Sequence, residues 1–204
     1  MTQNKEYAYF ANCVSYQGEM LPLERYTLYS WIKKYKPSNI LEIGTGTGGS
    51  TQYLSDAAQE NGLGKIYSCD PIRSPRQDFI RSRNNLEFHQ AISSTMIQHL
   101  IDNQINIDFI FFDGPQNPNT ALNDLIKLES YIKPGTLFCM HDWHIGVRGY
   151  DSSIATKANK IKPYIEKSVE WIEIEILYGD KKNSNFDSLP YDSVGLCLYS
   201  YKVI

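Results

Sequence analysis

Short runs of β-branched and aromatic residues alternate with helical patterns along the centre of this chain, and no other feature constrains the fold as strongly. Strands are predicted at residues 39–43, 65–70, 86–90, 107–112 and 136–140. Helices are predicted at 50–60, after Pro75, at 93–102 and at 119–133, where Pro134-Gly135 ends the pattern. The run Phe109–Phe112 is apolar at every position, as expected of a central parallel strand buried on both faces. This alternation predicts a doubly wound α/β sheet with right-handed crossovers.

The two ends of the chain depart from this rhythm. Residues 21–36 and 151–167 predict helices, whereas 171–177 and 194–201 predict strands of a more antiparallel character. The polar segment Gly179–Asp192 suits either a loop over the site or an exposed hairpin. No repeat or linker divides the chain, so we expect a single domain over residues 1–204. Its parts are an N-terminal helical segment (1–37), a central core (38–145) and a C-terminal helix with strands (146–204).

Composition excludes several classes of protein. The 204 residues carry a net charge of −3, so the chain lacks the general basic character that attracts nucleic acid. No apolar run is longer than five residues, and Phe109–Phe112 has four, far short of the roughly 20 that cross a membrane. The first residues contain no apolar stretch of signal-peptide length, which predicts a cytoplasmic location. The four cysteines are scattered singly, which predicts reduced core thiols.

A glycine-rich turn, LEIGTGTGGS at residues 41–50, joins the first predicted strand to the first helix. Glycines let the backbone bend tightly and approach a ligand, and the helix N-terminus behind them presents free N–H groups. The turn therefore predicts a site for a nucleotide-like cofactor. Gly44, Gly46 and Gly49 also satisfy the dinucleotide fingerprint G-x-G-x-x-G, which keeps an NAD-dependent oxidoreductase as an alternative.

Three carboxylates favour an adenosine cofactor with an amino-acid tail. Glu42 precedes the glycines within a strand, where a buried carboxylate needs a partner such as a cationic amine. Asp70 ends the second strand and is placed to accept ribose hydroxyls, as it would also do for NAD. Asp113 follows the fourth strand beside the switch point of the sheet, and a nicotinamide would not require it.

The segments LEIGTGTGGS, YSCDP, DFIFFDGP and IKPGTLFCMHDW resemble, in order, the motifs of class I S-adenosylmethionine-dependent methyltransferases. The resemblance covers residues 38 to about 143 and implies a Rossmann-like seven-stranded sheet of order 3-2-1-4-5-7-6, with the last strand antiparallel and helices on both faces. It implies that the core binds S-adenosyl-L-methionine, with the methionine end near the first glycines, the ribose at Asp70 and the adenine beside residues 91–93. The implied cofactor-binding residues are Glu42, Gly44, Thr45, Gly46, Gly48, Ser50, Asp70, Ala91, Ile92, Ser93 and Asp113. The ending of the turn is similar to that of bacterial small-molecule and sugar O-methyltransferases and the cephalosporin-hydroxylase-like group.

A second cluster is predicted where the fourth and fifth strands end. Asp113 follows one strand and His141-Asp142 the next, and neighbouring parallel strands lie about 4.8 Å apart. Asp113, His141 and Asp142 therefore predict a site for Mg²⁺ or Mn²⁺. Catechol-type and macrolide-sugar O-methyltransferases resemble this chain in part, with an acid at Asp113 and a metal-binding pair at His141-Asp142.

The proton acceptor is left open by the sequence. Where those metal-dependent families have a basic Lys or His, this chain has Gln116, which takes no proton at neutral pH. The base is then His141 or His144, or a metal alone lowers the pKa of the acceptor hydroxyl. Asp113, His141 and His144 are accordingly the predicted catalytic residues.

The resemblance implies O-methylation of a small molecule, a sugar or natural-product hydroxyl, and the second cluster predicts that a divalent metal or a histidine assists it. A cofactor-binding protein without catalytic activity is the other alternative. The segment Asp113-Gly114-Pro115-Gln116 lacks an Asn-Pro-Pro-aromatic amino-methylation motif, which favours a small molecule over nucleic acid as partner. The aromatic N-terminal segment has no obvious place in the sheet, so a homodimer that exchanges this segment between its two chains is left open by the sequence. Residues that suit either the acceptor pocket or ordinary packing are Tyr7, Tyr9, Phe10, Tyr16, Trp143 and the segment 145–152.

Overall fold

Seven strands form one mixed sheet in the computed structural model, which describes residues 9–10, 20–72, 75–143, 156–177 and 195–202. The strands are β1 (Asn39–Ile43), β2 (Lys65–Cys69), β3 (Leu86–His89), β4 (Phe109–Phe112), β5 (Leu137–His141), β6 (Trp171–Leu177) and β7 (Leu196–Tyr201). Their order is β3-β2-β1-β4-β5-β7-β6. The first five strands are parallel, while β7 runs antiparallel to both β5 and β6. The predicted fold class and strand order are confirmed.

The helices of the described residues are α1 (Pro22–Tyr35), α2 (Gly49–Glu60), α3 (Gln77–Arg81), α4 (Ser93–Asp102), α5 (Pro118–Glu129) and α6 (Ala158–Lys167). Helix α5 starts on a proline, and the side chain of Asn117 caps it by accepting hydrogen bonds from the N–H groups of Asn119 and Thr120. It ends at Glu129, four residues before the predicted Lys133, and the N–H of Tyr131 then bonds to the carbonyl of Leu128, three residues back, as in a 3₁₀ turn. Within the described ranges, no helix is long and apolar enough to span a membrane.

The sheet is covered on both faces, and β4 lies at its centre. Ile110 and Phe112 face a core built with α4, α5 and α6, whereas Phe109 and Phe111 face a core built with α1 and α2. All four side chains are buried, as the apolar run predicts. Because β1, β2, β4 and β5 are parallel, their carboxyl ends lie at one edge of the sheet. The loops that follow these strands form the candidate site.

Three of the cysteines are free and buried, at positions 69, 139 and 197. Burial raises the pKa of the Cys69 thiol to about 12, so it is a poor nucleophile and metal ligand at neutral pH. The prediction of reduced core thiols is confirmed for these three residues. Cys13 and the segment Gly179–Asp192 lie outside the described residues.

Candidate active site

The glycine turn lies at the carboxyl end of β1 and leads into α2. Gly44, Gly46 and Gly48 all have positive φ, at 94°, 55° and 96°, which side chains other than glycine rarely adopt. A Cβ on Gly44 would lie 2.8 Å from the backbone carbonyl of Asp113, whereas one on Gly46 would meet nothing within 4 Å. Gly44 therefore lets the ends of β1 and β4 approach each other. Gly46 leaves open space beside the turn.

Asp70, which follows β2, binds the backbone of this turn. Its carboxylate accepts hydrogen bonds from the backbone N–H of Gly46 at 2.9 Å and from that of Ile72 at 2.9 Å. The residue is half-buried, so a ligand lying along the turn can still reach it. The structure thus brings Asp70 beside Gly46, and gives it a role in holding the backbone that the sequence did not reveal.

Glu42 lies beneath the turn, with its side chain fully buried. It accepts hydrogen bonds from the hydroxyls of Ser50 (2.6 Å), Thr51 (2.7 Å) and Ser68. Burial raises the pKa of Glu42 to about 7, although the three hydroxyls act in the opposite direction. The hydroxyl of Thr45 lies 2.5 Å from that of Ser68 and extends this buried network. These contacts tie the start of α2 to β1 and β2 from below.

Residues 91–93 connect β3 to α4 at the same edge. Ile92 is 55% exposed, and its apolar surface suits the face of an adenine. Ser93 is buried, and its hydroxyl donates a hydrogen bond to the carboxylate of Asp124, which lies in α5. Ala91 and Ile92 are thus placed at the rim of the site, whereas the side chain of Ser93 is committed to packing between helices.

The ends of β4 and β5 bring Asp113, His141 and Asp142 together. One side-chain ligand atom from each of these residues lies within 4.8 Å of the other two. Asp142 adopts a left-handed backbone with φ of 61°, a conformation that Asp tolerates better than most residues and that is found at functional sites. The predicted convergence of these three side chains is confirmed.

His141 is buried between two carboxylates. Its Nδ1 atom lies 3.2 Å from Oδ1 of Asp113, and its Nε2 atom lies 3.2 Å from Oε2 of Glu24. Glu24 is fully buried in the first turn of α1 and also accepts hydrogen bonds from the N–H groups of Leu21 and Gly195. Burial lowers the pKa of His141, but the two carboxylates outweigh it and raise that pKa to about 10. The two carboxylates therefore favour the imidazolium form of His141.

Lys157 completes the group from the N-cap of α6. Its Nζ atom lies 3.1 Å from Oδ1 of Asp113 and 2.5 Å from Oδ2 of Asp142, and its side chain is fully buried. Burial lowers the pKa of Lys157, but Asp113 and Asp142 raise it above its usual value. Gln116 reaches the same Oδ2 atom of Asp142 with its amide nitrogen at 3.5 Å.

These contacts form a row of alternating charges in the order Glu24, His141, Asp113, Lys157 and Asp142, which we call the charge row. Sequence reasoning missed Glu24 and Lys157. Lys157 had a signal, because it precedes Ile161 and Ile165 at intervals of four residues and so shares the apolar face of α6. Glu24 had none, since a glutamate in the first turn of a helix is normally exposed.

Of the other candidate residues, some pack in the protein core and some lie outside the described residues. Trp143 is fully buried, with its ring centroid 5.5 Å from that of Tyr199, which is ordinary packing. Phe10 is buried and stacks on Tyr53, with centroids 5.4 Å apart. The candidates outside the described residues are Tyr7, Tyr16, His144 and the segment 145–152.

The geometry agrees with comparisons to known proteins. A family model described as a methyltransferase domain matches residues 41–143, which is half of the chain. The chain belongs to this methyltransferase family. The recognition of a class I S-adenosylmethionine-dependent methyltransferase is thereby confirmed. No curated protein matches the sequence significantly.

Solved structures share the fold at low sequence identity. An O-methyltransferase from Bacillus cereus in complex with S-adenosylhomocysteine is 17% identical, with a TM-score of 0.65 over 98% of this chain and 90% of that one. A methyltransferase from Podospora anserina bound to S-adenosylhomocysteine is 13% identical, with a TM-score of 0.64 over 98% of this chain and 87% of that one. A proposed caffeoyl-CoA O-methyltransferase from Staphylococcus aureus is 14% identical, with a TM-score of 0.64 over 98% and 93% of the two chains. This methyltransferase therefore shares its fold with these enzymes along almost its whole length.

Proposed function

We propose that this protein transfers the methyl group of S-adenosylmethionine to a hydroxyl oxygen of a small molecule. The observation that carries the proposal is the edge of the sheet at which the glycine turn, Asp70 and Asp113 lie together. In open α/β sheets, ligands bind outside the carboxyl ends of the strands, where turns and helix N-termini present backbone N–H groups.

The residues at this edge fit such a cofactor. Gly46 leaves open space, Asp70 is accessible beside it, and Ile92 offers an exposed apolar surface for the adenine. The partial positive charge of the α2 N-terminus and the carboxylate of Asp113 provide opposite charges for the two ends of the methionine tail. Thr45, Gly48 and Ser50 shape the turn, and Glu42 supports it from beneath. S-adenosylmethionine supplies an activated methyl group on a sulfonium, so positioning of the acceptor accounts for much of the rate.

The acceptor site is assigned to Asp113 and Asp142, whose side chains are 22% and 28% exposed. Carboxylates at this position orient an acceptor hydroxyl by accepting its hydrogen bond. The contacts of His141 with two carboxylates do not favour it as the base, which leaves His144 as the histidine predicted for that role.

A small molecule is the proposed partner, because the net charge of −3 does not favour nucleic acid. The O-methyltransferases of similar fold from Bacillus cereus and Staphylococcus aureus support a hydroxyl as the acceptor group. The cytoplasmic location and the homodimer stay predictions.

Thermal unfolding with S-adenosylhomocysteine, with NAD⁺ and with neither tests the cofactor. A ligand at 100 times its Kd adds about 2.7 kcal/mol, which for a chain of this size raises Tm by roughly 5–11 °C. We expect this rise with S-adenosylhomocysteine only. Asp70→Asn, which removes one carboxylate oxygen beside Gly46, should reduce the rise, whereas Asp102→Asn on the exposed side of α4 should not. A rise with NAD⁺ alone would refute the proposal in favour of an oxidoreductase.

Methyl transfer itself separates an enzyme from a cofactor-binding protein without activity. Gln116 in the place of a base favours the second alternative. Formation of S-adenosylhomocysteine from S-adenosylmethionine with a panel of phenols and sugars supports the enzyme. Tight cofactor binding with no turnover on any acceptor supports the binding protein.

A further inference from the structure

The strongest unexplained feature of the site is a lysine amine in the place predicted for a metal ion. Lys157 Nζ contacts Oδ1 of Asp113 at 3.1 Å and Oδ2 of Asp142 at 2.5 Å. These residues are two of the three predicted metal ligands. Mg²⁺ binds carboxylate oxygens at about 2.0–2.1 Å and keeps an octahedral shell around itself. An ammonium that already lies between the same two carboxylates leaves no room for that shell.

The third predicted ligand is engaged as well. Both ring nitrogens of His141 lie 3.2 Å from carboxylate oxygens, one on Asp113 and one on Glu24. A histidine that binds a metal directs the lone pair of one nitrogen at the ion and uses only the other for a hydrogen bond. With the ammonium of Lys157 on both aspartates and no free ring nitrogen on His141, the donor set as it stands does not fit a divalent metal. Only the oxygens of Asp113 and Asp142 would become available to a metal if that ammonium were removed.

The position of Lys157 argues for a dedicated role. Lysine is almost never fully buried unless it is paired, and a positive charge at a helix N-terminus opposes the helix dipole. Lys157 lies at the N-cap of α6 with a fully buried side chain, so its charge depends on the pairing with Asp113 and Asp142. Helix α6 is anchored by the buried side chains of Ile161 and Ile165, which holds the amine at the carboxylates.

We propose that the ammonium of Lys157 takes the place of the divalent cation in this active site, so that methyl transfer proceeds without a metal. The proposal rests on the function proposed above. Lys157 neutralises Asp113 and Asp142 and fixes the direction of their carboxylates, whose side chains reach the surface where an acceptor binds. It is a positioning residue, because it is fully buried and acts through the two aspartates.

Binding of Mn²⁺ to chelator-treated protein tests this, measured by loss of the electron paramagnetic resonance signal of free Mn²⁺. The wild-type protein should bind Mn²⁺ no more tightly than its surface lysine variant Lys160→Met, because the ammonium blocks the site. Lys157→Met keeps the length of the side chain but removes the charge. We expect it to gain one Mn²⁺ per chain with at least tenfold higher affinity, and Lys157→Arg, which restores a cation, to lose that gain.

Two results would overturn the proposal. One is stoichiometric Mn²⁺ binding by the wild-type protein that Asp142→Asn abolishes, which would establish a metal centre. The other is a folded Lys157→Met variant that gains no Mn²⁺. If Lys157→Met does not fold, the wild-type and Asp142→Asn titrations decide alone, with absence of a shared Mn²⁺ site supporting the proposal. S-adenosylhomocysteine binding, measured on the same samples, reports separately on the proposed function.

Discussion

Removing the charge of Glu24 tests how much the charge row contributes to the free energy of unfolding, because Glu24 is its fully buried end. Glu24 is fully buried and accepts hydrogen bonds from Leu21, Gly195 and His141. Glu24→Gln keeps the shape of the side chain but places an amide against these donors and leaves His141 paired with Asp113. Breaking a buried pair by removing one partner costs about 3–5 kcal/mol. We expect about 3 kcal/mol at pH 7, because the second carboxylate remains.

Urea unfolding monitored by circular dichroism measures this loss, and thermal unfolding should show a fall in Tm of roughly 6–12 °C. The matched control is Glu60→Gln, in which a side chain that is 54% exposed loses its surface ion pair with Lys33. Exposed pairs contribute up to about 1 kcal/mol, so this variant should lie close to the wild type. Equal losses in the two variants would refute the assignment of Glu24 to a buried pair.

The pH dependence of the same difference identifies His141 as the partner. The folded-state pKa of His141 is raised from 6.5 to about 10, so the stability that its charge contributes is complete below pH 6.5 and is lost as the pH rises through about 10. The gap in unfolding free energy between wild type and Glu24→Gln should therefore narrow between pH 7 and pH 10. A gap that stays constant over this range would show that the cost comes from the lost backbone hydrogen bonds instead.

Two further predictions concern the glycine turn and its support. Gly44→Ala should destabilise the fold in urea, because its Cβ would lie 2.8 Å from the Asp113 backbone, whereas Gly46→Ala, with open space but φ of 55°, should cost only about 1 kcal/mol and weaken S-adenosylhomocysteine binding in calorimetry. Equal loss of stability in both would contradict this assignment. Burial raises the pKa of Glu42 from 4.5 to about 7, so its ionisation reduces stability as the pH rises through this range. Glu42→Gln should therefore gain stability relative to the wild type between pH 5 and pH 8 in urea titrations, and a constant difference would count against the raised pKa.

Local patterns in the sequence predicted the strands and the doubly wound class of the sheet, whereas the order of the strands was implied by the family resemblance. The apolar run Phe109–Phe112 predicted a doubly covered central strand because burial on both faces leaves no polar position in such a strand. The glycine turn was equally visible, since only glycine adopts its positive φ values without strain. The ends of the elements did not follow from the pattern in the same way: α5 ends at Glu129, although the apolar pattern continues to Ile132.

The placement of carboxylates at strand ends also followed from the sequence, because parallel strands end at one edge. Asp70, Asp113 and Asp142 all lie where this rule puts them. The partners of those carboxylates did not follow. Asp70 binds the backbone of Gly46, and Glu42 lies beneath the turn with three hydroxyls, because these contacts depend on how β1, β2 and α2 pack.

The sequence by itself therefore determined the order of strands and helices and the edge that carries the site, since both arise from residues close together along the chain. Only the tertiary structure decided the charges at that edge. Glu24 reaches His141 across 117 residues, and Lys157 reaches Asp113 across 44. Side chains so far apart in sequence meet only because helices α1 and α6 pack against the sheet. A buried cation needs several carboxylates around it, so the choice between an ammonium and a metal ion at this site belongs to packing.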